Sequence, residues 1–531
     1  MSAKNNNVDR ISTPSSGYET SQALARSLVK RCHDLLGELD AFRALLEQTQ
    51  RNPQLVEVRS LRSNVFSELR TLEKVSEQIQ ALAADADADT DSSPDVEVEP
   101  RLTHALRSSN LPFYETVWDV AKGSCSGLVA FGKRFYWDGE GVAVEGASGE
   151  KKKSNKDKRK SVFVDIVADD GQEWVKVSTI SVTRLLFEMA KKGWEADSAS
   201  ESEEERTVLR NFDDDNDSDD DDEIELVKLA SDMRKAASCT RVSYKHPRLR
   251  LVIPKIEAGE SHEIDDLLKV LQSYDVTVEC GEGALFSGEK GNLASAAAQG
   301  HLHHLLPTPF KNFTPTLNVD CTLLLALVSD LSHLKNIAPS PAYHKAIIRQ
   351  LEFERERPLL TTELWPAMNE HVLVCTDEAA KRMREIVDTI GTDTEKRRTE
   401  ILFGDPPSDS REAKSVIQVF QEMSDYEIPP QLKMPVKVVE AKPVIDSAIE
   451  QGKLPPVSHK VAEILSDINH SVFFYGWVTG ITTISSNRTV VKQIETIIEQ
   501  YRNGDEDLEG PKIWVCDTAR SLIGKEKGRK D

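Results

Sequence analysis

The chain has 531 residues, a formal net charge of −22 at pH 7 and 39% apolar residues, with a mean hydropathy of −0.43. A chain of this length exceeds what one core organises, so two or three folded units joined by solvated linkers are expected. The charge is uneven: residues 196–225 hold fifteen acidic residues against Arg206 and Arg210, a net of −13, so the remainder does not repel nucleic acid everywhere. The seven cysteines form no CxxC pair, which excludes a zinc site of that pattern and a disulfide framework, and argues for a reducing compartment. The first residues are polar and no apolar run reaches the roughly 18 residues of a membrane span. A cytoplasmic or nuclear protein without membrane contact is expected.

In chain order, residues 1–16 are polar and predicted to be disordered. Residues 17–84 then carry a helical stripe: Leu24, Leu28, Leu35, Leu39, Phe42 and Leu46, and beyond Pro53, Val58, Leu61, Val65, Leu69, Leu72, Val75, Ile79 and Leu82. This spacing predicts an antiparallel, coiled-coil-like helical hairpin. Its apolar face serves either as a docking or dimerising arm for a protein partner or as packing against the chain's own body. An Ala-Asp repeat opens a charged linker at 85–100.

Residues 101–300 read as a mixed α/β domain with two charged insertions. Alternation over 161–167, an Asp170-Gly171 turn and a return over 174–177 predict a β-hairpin. Upstream, residues 151–160 hold seven basic residues. They suit a nuclear-import address, a nucleic-acid contact or a solvated loop, and no aromatic residue interleaves them for base stacking. The acidic run at 196–225 is predicted to be disordered. Ser198, Ser200, Ser202 and Ser218 beside its acids suit acid-directed phosphorylation, the alternative being an inert acidic loop. A strand at 249–253 ended by Pro254, a helix through Ile264, Leu267, Leu268 and Leu271, and a strand at 276–280 predict a parallel crossover. Gly281-Glu282-Gly283 lacks the third glycine of a dinucleotide loop and reads as a turn. His301, His303 and His304 have no Cys or acidic partner at ligand spacing and read as a polar loop. Neither a P-loop nor a Gly-x-Ser-x-Gly elbow occurs.

Residues 301–524, ahead of a tail at 525–531, alternate strand and helix again. Strands are predicted at 316–319, 371–375, 471–475 and 513–516, with helices from 321 to about Leu334, at 376–389 and at 489–501. This pattern predicts a three-layer α/β domain with a mostly parallel sheet. Asp320 ends the first strand just where the apolar helical run Leu323-Leu324-Leu325-Ala326-Leu327-Val328 begins. It reads either as the helix N-cap or as the anchor of a metal-dependent phosphodiester site.

Several words occur in a specific order: Leu317-Asn318-Val319-Asp320-Cys321-Thr322-Leu323-Leu324, Val374-Cys375-Thr376, Ile390-Gly391, Tyr475-Gly476 before Ile481-Thr482-Thr483, and Arg520-Ser521-Leu522. With residues 162–167, 174–176, 250–253 and 264–266 upstream, they make the chain resemble an uncharacterised eukaryotic family. That family's C-terminal module is a domain of unknown function of PIN-like fold. The resemblance spans roughly residues 100–524 outside the charged insertions.

It implies a site in which three or four carboxylates at the sheet's C-terminal edge hold Mg²⁺ or Mn²⁺. Asp320 matches the first, as catalytic and metal-binding candidate. Arg382 stands in the second position, with Asp377, Glu378 and Glu385 nearby. The third is expected after Tyr475-Gly476, where the chain reads Trp477-Val478-Thr479-Gly480 without an acid. A unit positive charge about 4 Å from another costs ~4 kcal/mol at an effective dielectric near 20, and a divalent ion about doubles that. The expected function is therefore an interaction or RNA-associated module without a cofactor. The alternative is a Mg²⁺- or Mn²⁺-dependent ribonuclease acting through Asp320.

Overall fold

The structure, a computed structural model, describes residues 17–50, 52–87, 98–137, 160–193, 223–281, 283, 300–338, 340–341, 343–404 and 416–523. The N-terminal polar stretch, the basic run as far as residue 159, the acidic run as far as residue 222 and the C-terminal tail lie outside the described residues. Two compact units emerge. One comprises residues 1–46, 54–240 and 247–307, the other residues 47–53, 241–246 and 308–531. Among the described residues, no helix is long and apolar enough to cross a membrane.

The first unit opens with α1 (Gly17–Thr49) and α2 (Arg59–Asp87). Arg62 pairs with Asp40 at 2.7 Å and His33 approaches Glu73 at 3.9 Å, a pairing that only antiparallel helices give. Because α2 continues to Asp87 and α3 (Val98–Arg107) starts at Val98, the linker read at 85–100 narrows to residues 88–97, which lie outside the described residues. In α4 (Leu111–Ser124), Trp118 covers the hairpin's stripe, 6.0 Å from Phe42 and 5.9 Å from Phe131. Its indole Nε1 donates to Glu38 at 2.7 Å, so burial leaves no orphan donor. Each large side chain buried this way contributes about 1.5–3 kcal/mol, which fastens the hairpin to its own unit.

A five-stranded sheet follows in the order β1 (Ala130–Trp137), β2 (Lys160–Ala168), β3 (Glu173–Val177), β4 (Arg248–Ile253), β5 (Val276–Cys280). The first three strands run antiparallel, and β3, β4 and β5 run parallel. The turn from β2 to β3 places Asp169, Asp170 and Gly171 at φ of 49, 53 and 101°, conformations that short polar residues and glycine tolerate best. Ile166, Val175 and Val252 face the helical hairpin. On the other face, α5 (Val182–Lys191), α6 (Glu225–Ser238) and α7 (His262–Ser273) pack around Trp174 and Leu251. Between β4 and β5, α7 completes the parallel crossover that periodicity predicts.

The second unit is built on five parallel strands: β6 (Thr316–Val319), β7 (Val372–Thr376), β8 (Lys437–Val439), β9 (Thr482–Ser485) and β10 (Ile513–Val515). Their spatial order is β10-β9-β6-β7-β8. The chain moves outward from β6 to β8, then returns to the other side of β6 for β9 and β10. Leu317, Val319, Leu373 and Ile484 point to one face, covered by α8 (Cys321–Val328), α11 (Trp365–Met368), α12 (Asp377–Ile390), α13 (Asp393–Leu402) and α14 (Val416–Gln421). Beside them, α9 (Asp330–His333) and α10 (Lys345–Glu356) pack through Leu331 and Ile347. The opposite face carries α15 (Ala441–Glu450), α16 (Ser458–Ile464), α17 (Asp467–Thr479) and α18 (Arg488–Gln500). Alternation sends Asn318 to that side, where its amide donates to the Val472 carbonyl at 2.8 Å and to Thr483 Oγ1 at 3.1 Å.

Two sequence expectations need correction. Residues 471–475, read as a strand, lie inside α17 with Val472, Phe473 and Phe474 buried. A five-residue apolar run does not distinguish a buried strand from a buried helix by periodicity. Gly476 permits the helix to lie against β9, since a Cβ there would sit 2.0 Å from Thr483 Oγ1. The helix read as far as Leu334 instead breaks at Ser329, at φ −60° and ψ 132°. The Ser329 hydroxyl accepts from the Leu331 amide at 3.3 Å and donates to the Ser521 carbonyl at 2.8 Å.

That break turns Asp330 inward. Its carboxylate accepts from Arg398 Nη1 and Thr392 Oγ1, both at 2.6 Å, and from Thr394 Oγ1 at 2.7 Å. Arg398 is fully buried, and its other donors reach the carbonyls of Val328 at 2.9 Å and Met423 at 2.6 Å. Buried His333 places its ring nitrogens 2.7 Å from the Leu327 carbonyl and 2.9 Å from the Ser424 hydroxyl. A carbonyl only accepts, so Nε2 carries the proton. Burial, reinforced by the Arg398 charge, pushes the His333 pKa down to about 3, and the ring stays neutral. Truncating Arg398 would strand the Asp330 carboxylate, and breaking a buried pair from one side costs about 3–5 kcal/mol. Arg398→Ala is expected to lower the unfolding free energy of this unit by that amount in urea titrations of the full chain. A loss under about 1 kcal/mol would mean that the pair does not hold these helices together.

Candidate functional site at the strand-order reversal

In an open parallel sheet, the crevice beyond the strands' carboxyl ends opens where the strand order reverses, because the two flanking connections diverge there. In the second unit that point lies between β6 and β9. Asp320 follows the last residue of β6, and Ser485 ends β9. The Asp320 amide donates to the Ile484 carbonyl at 3.0 Å, which extends the pairing by one residue. Its own carbonyl accepts from the amides of Leu323 and Leu324 at 3.0 Å and starts α8. Asp320 is thus the N-cap by backbone position, although its side chain makes no capping hydrogen bond.

The carboxylate is committed elsewhere. Asp320 Oδ2 accepts from Ser485 Oγ at 2.6 Å and from Thr322 Oγ1 at 2.7 Å. Both hydroxyls then serve as acceptors: Ser485 Oγ for the Asn487 amide at 2.9 Å, Thr322 Oγ1 for the Ser486 amide at 3.1 Å. Asn487 in turn caps α18 through the Val490 amide at 3.4 Å. One oxygen therefore fixes the end of β6, the start of α8, the turn after β9 and the entry to α18. Only 2% of Asp320 is exposed. Burial pushes its pKa above the usual carboxylate range; the Ser485 and Thr322 hydroxyls and the oriented amides at the start of α8 oppose the shift without cancelling it.

The other acids named from sequence do not join it. Asp377, at the first position of α12, accepts from the Ala441 amide at 3.1 Å. Burial disfavours its charge, but hydrogen bonding with Glu378 and backbone amides, that of Ala441 among them, outweighs it and holds its pKa below the usual range. Glu378 accepts from the Ser471 hydroxyl at 2.5 Å. Glu385 pairs with Arg382 at 3.2 Å, both about half exposed. Although turned along α12, Arg382 still acts on the start of α8: burial raises the Cys321 thiol to about 12, Asp320 adds to this, and Arg382 works against it.

The position expected for the third acid, residues 477–480, is the end of α17 and not the end of a strand. The residue that occupies the strand end beside Asp320 is Ser485, which the sequence reading missed. Its only signal was a β-branched run, Thr482-Thr483-Ile484, directly before it and a cap residue, Asn487, two places after it.

Among the described residues, no group of three or more His, Cys, Asp or Glu side chains gathers that could hold a metal ion. Mg²⁺ wants about six oxygen ligands in near-octahedral array, anchored by one or two carboxylates. Here the Asp320 carboxylate faces two hydroxyls already engaged with it, and the Arg382 charge is felt at the adjoining Cys321. The residues present do not fit Mg²⁺ or Mn²⁺.

The sequence model of a family described as "Protein of unknown function (DUF1308)" matches residues 317–428. That stretch runs from β6 through α14. It includes Asp320, Arg382 and the whole Asp330–Arg398 cluster, and it ends before Ser485. The second unit therefore contains a domain of unknown function. No curated protein and no solved structure matches the chain.

For an acid whose folded pKa lies above its unfolded value, the native state takes up the proton first, so stability falls as pH rises through the window between the two values. Ionised Asp320 thus weakens the native state, and Asp320→Asn removes that dependence. Wild-type stability relative to this variant is expected to rise as the pH of urea titrations is lowered from about 7 towards about 4. A flat difference, or one of opposite slope, would contradict the burial of the charge.

Proposed function

We propose that the second unit is a PIN-like domain with a degenerate metal site, and that the protein works as an interaction or RNA-associated module and not as a nuclease. The PIN-like reading draws on the parallel sheet flanked by helices on both faces and on a lone Asp at the carboxyl end of its central strand. The observation that carries the functional reading is the engagement of Asp320 Oδ2 by Ser485 and Thr322, with no group of three or more His, Cys, Asp or Glu side chains gathered for a metal ion among the described residues.

Metal-assisted phosphodiester cleavage needs a cation that both lowers the pKa of a bound water and neutralises charge on the phosphate. Asp320 alone supplies one negative charge, which its raised pKa makes harder to keep. Its neighbouring hydroxyls are oriented as donors to it. What remains is a rigid junction at a crevice, suited to holding the surrounding loops in one conformation. A protein partner engaging the helical hairpin is compatible with this reading through the hairpin's outer surface, since its apolar stripe packs within the first unit.

A second reading, a Mg²⁺- or Mn²⁺-dependent endoribonuclease acting through Asp320, is favoured by Asp377 and Glu378 directly after β7, the strand beside β6. The two readings separate in one assay. Full-length protein incubated with single-stranded RNA and Mn²⁺ is expected to give no cleavage above buffer, and Asp320→Asn is expected to give the same trace. Cleavage that appears with Mn²⁺ and vanishes in the variant would establish the ribonuclease instead.

A further inference from the structure

On the first unit's sheet, the β1–β2 register sets Arg134 opposite Phe163 and Tyr136 opposite Ser161. All four therefore share one face of the ribbon. Tyr136 and Phe163 are diagonal neighbours, ~7–8 Å apart in such a pair. Both rings are presented to solvent: Tyr136 is 55% exposed and Phe163 38%. Two cations flank Phe163, with Arg134 Cζ 5.6 Å and Lys176 Nζ 5.3 Å from its ring centroid. Lys176 is held in place by Asp165, a buried carboxylate 3.1 Å from its ammonium. Gly132 allows Phe163 to lie down on β1, since a Cβ there would meet the ring edge at 3.0 Å. In sequence, the ten residues that end at Lys160, the first residue of β2, hold seven bases against Asp157.

Exposed aromatics on a sheet, interleaved with cations in an otherwise acidic chain, have a specific physical use. A base stacks on each ring whatever its identity, while the flanking cations meet the phosphates on either side. We propose that the β1–β2 face formed by Arg134, Tyr136, Phe163 and Lys176 is a binding surface for single-stranded RNA. The proposal deepens the RNA-associated reading above and rests on it, but it concerns residues of the first unit and needs no property of Asp320. Tyr136 suits one splayed base, and Arg134 and Lys176, which sit over the Phe163 ring, suit the phosphates beside it.

The test is fluorescence polarisation of a labelled oligouridine RNA with the full chain across a salt series. Tyr136→Ala is expected to weaken binding by about tenfold, the lower part of the range for losing one stacked base. Tyr136→Phe, which keeps the ring, is expected to bind within about twofold of wild type. Arg134→Gln is expected to reduce the slope of log affinity against log salt by about 0.7, the share of one phosphate contact on a single strand. Retention of RNA by wild type with Tyr136→Ala unchanged, the variant being folded by circular dichroism, would overturn this surface and leave the RNA-associated reading standing. Absence of RNA binding by wild type would overturn both. Competition by polyglutamate as effective as that by unlabelled oligouridine would also overturn the surface, because it would reduce the face to a charge patch for an acidic protein.

Discussion

One carboxylate oxygen organises the second unit's crevice. Asp320 Oδ2 takes a hydroxyl from the strand-end Ser485 and another from Thr322 on α8, and each hydroxyl accepts a backbone amide from the turn after β9. Such a chain of hydrogen bonds strengthens in a low-dielectric surround, and a missing member leaves the others unpaired. The arrangement closes the point where the strand order reverses, the place a ligand would use in this architecture. It also explains how a buried carboxylate persists without a cationic partner among the described residues: hydroxyls and amides offset part of its desolvation, and its pKa rises for the remainder.

A second buried network keeps the surrounding helices in register. Asp330, Thr392, Thr394, Glu395 and Arg398 satisfy one another beneath α8 and α13, with His333 and Ser424 alongside. Every one of these residues falls within the stretch matched by the family model, whereas Ser485 does not. The scaffold that presents Asp320 is thus encoded in one continuous segment. Of the two hydroxyls that engage its oxygen, Thr322 lies in that segment and Ser485 comes from another, which returns to the sheet only after α17.

Much of this was legible in the sequence, for identifiable reasons. Asp320 directly follows β6 and Thr376 ends β7, each just before a helical run, so strand, cap and helix mark one another. The crossover through α7 shows its apolar spacing plainly. What escaped depends on contacts distant in sequence. Residues 471–475 look like a strand because both faces of α17 are apolar, and only Gly476 against Thr483 reveals a helix pressed on the sheet. The break at Ser329 is fixed by the Ser521 carbonyl and by Arg398, neither of them nearby in the chain. Ser485 could not be singled out, since a serine at a strand end is ordinary until a carboxylate is placed against it. The basic run at 151–160 lacks aromatics along the chain, but strand pairing brings Tyr136 and Phe163 to the same ribbon that it borders.

The central claim is that a single carboxylate, already engaged by two hydroxyls, does not capture a divalent cation. The most direct measurement is the electron paramagnetic resonance signal of Mn²⁺ titrated into the full chain, run in parallel with Asp320→Asn. Any Mn²⁺ taken up by the acidic run is common to both proteins, so the comparison is decisive where the total is not. The account predicts superimposable titrations for the two. A saturable site present in the wild type and missing from the variant would contradict it.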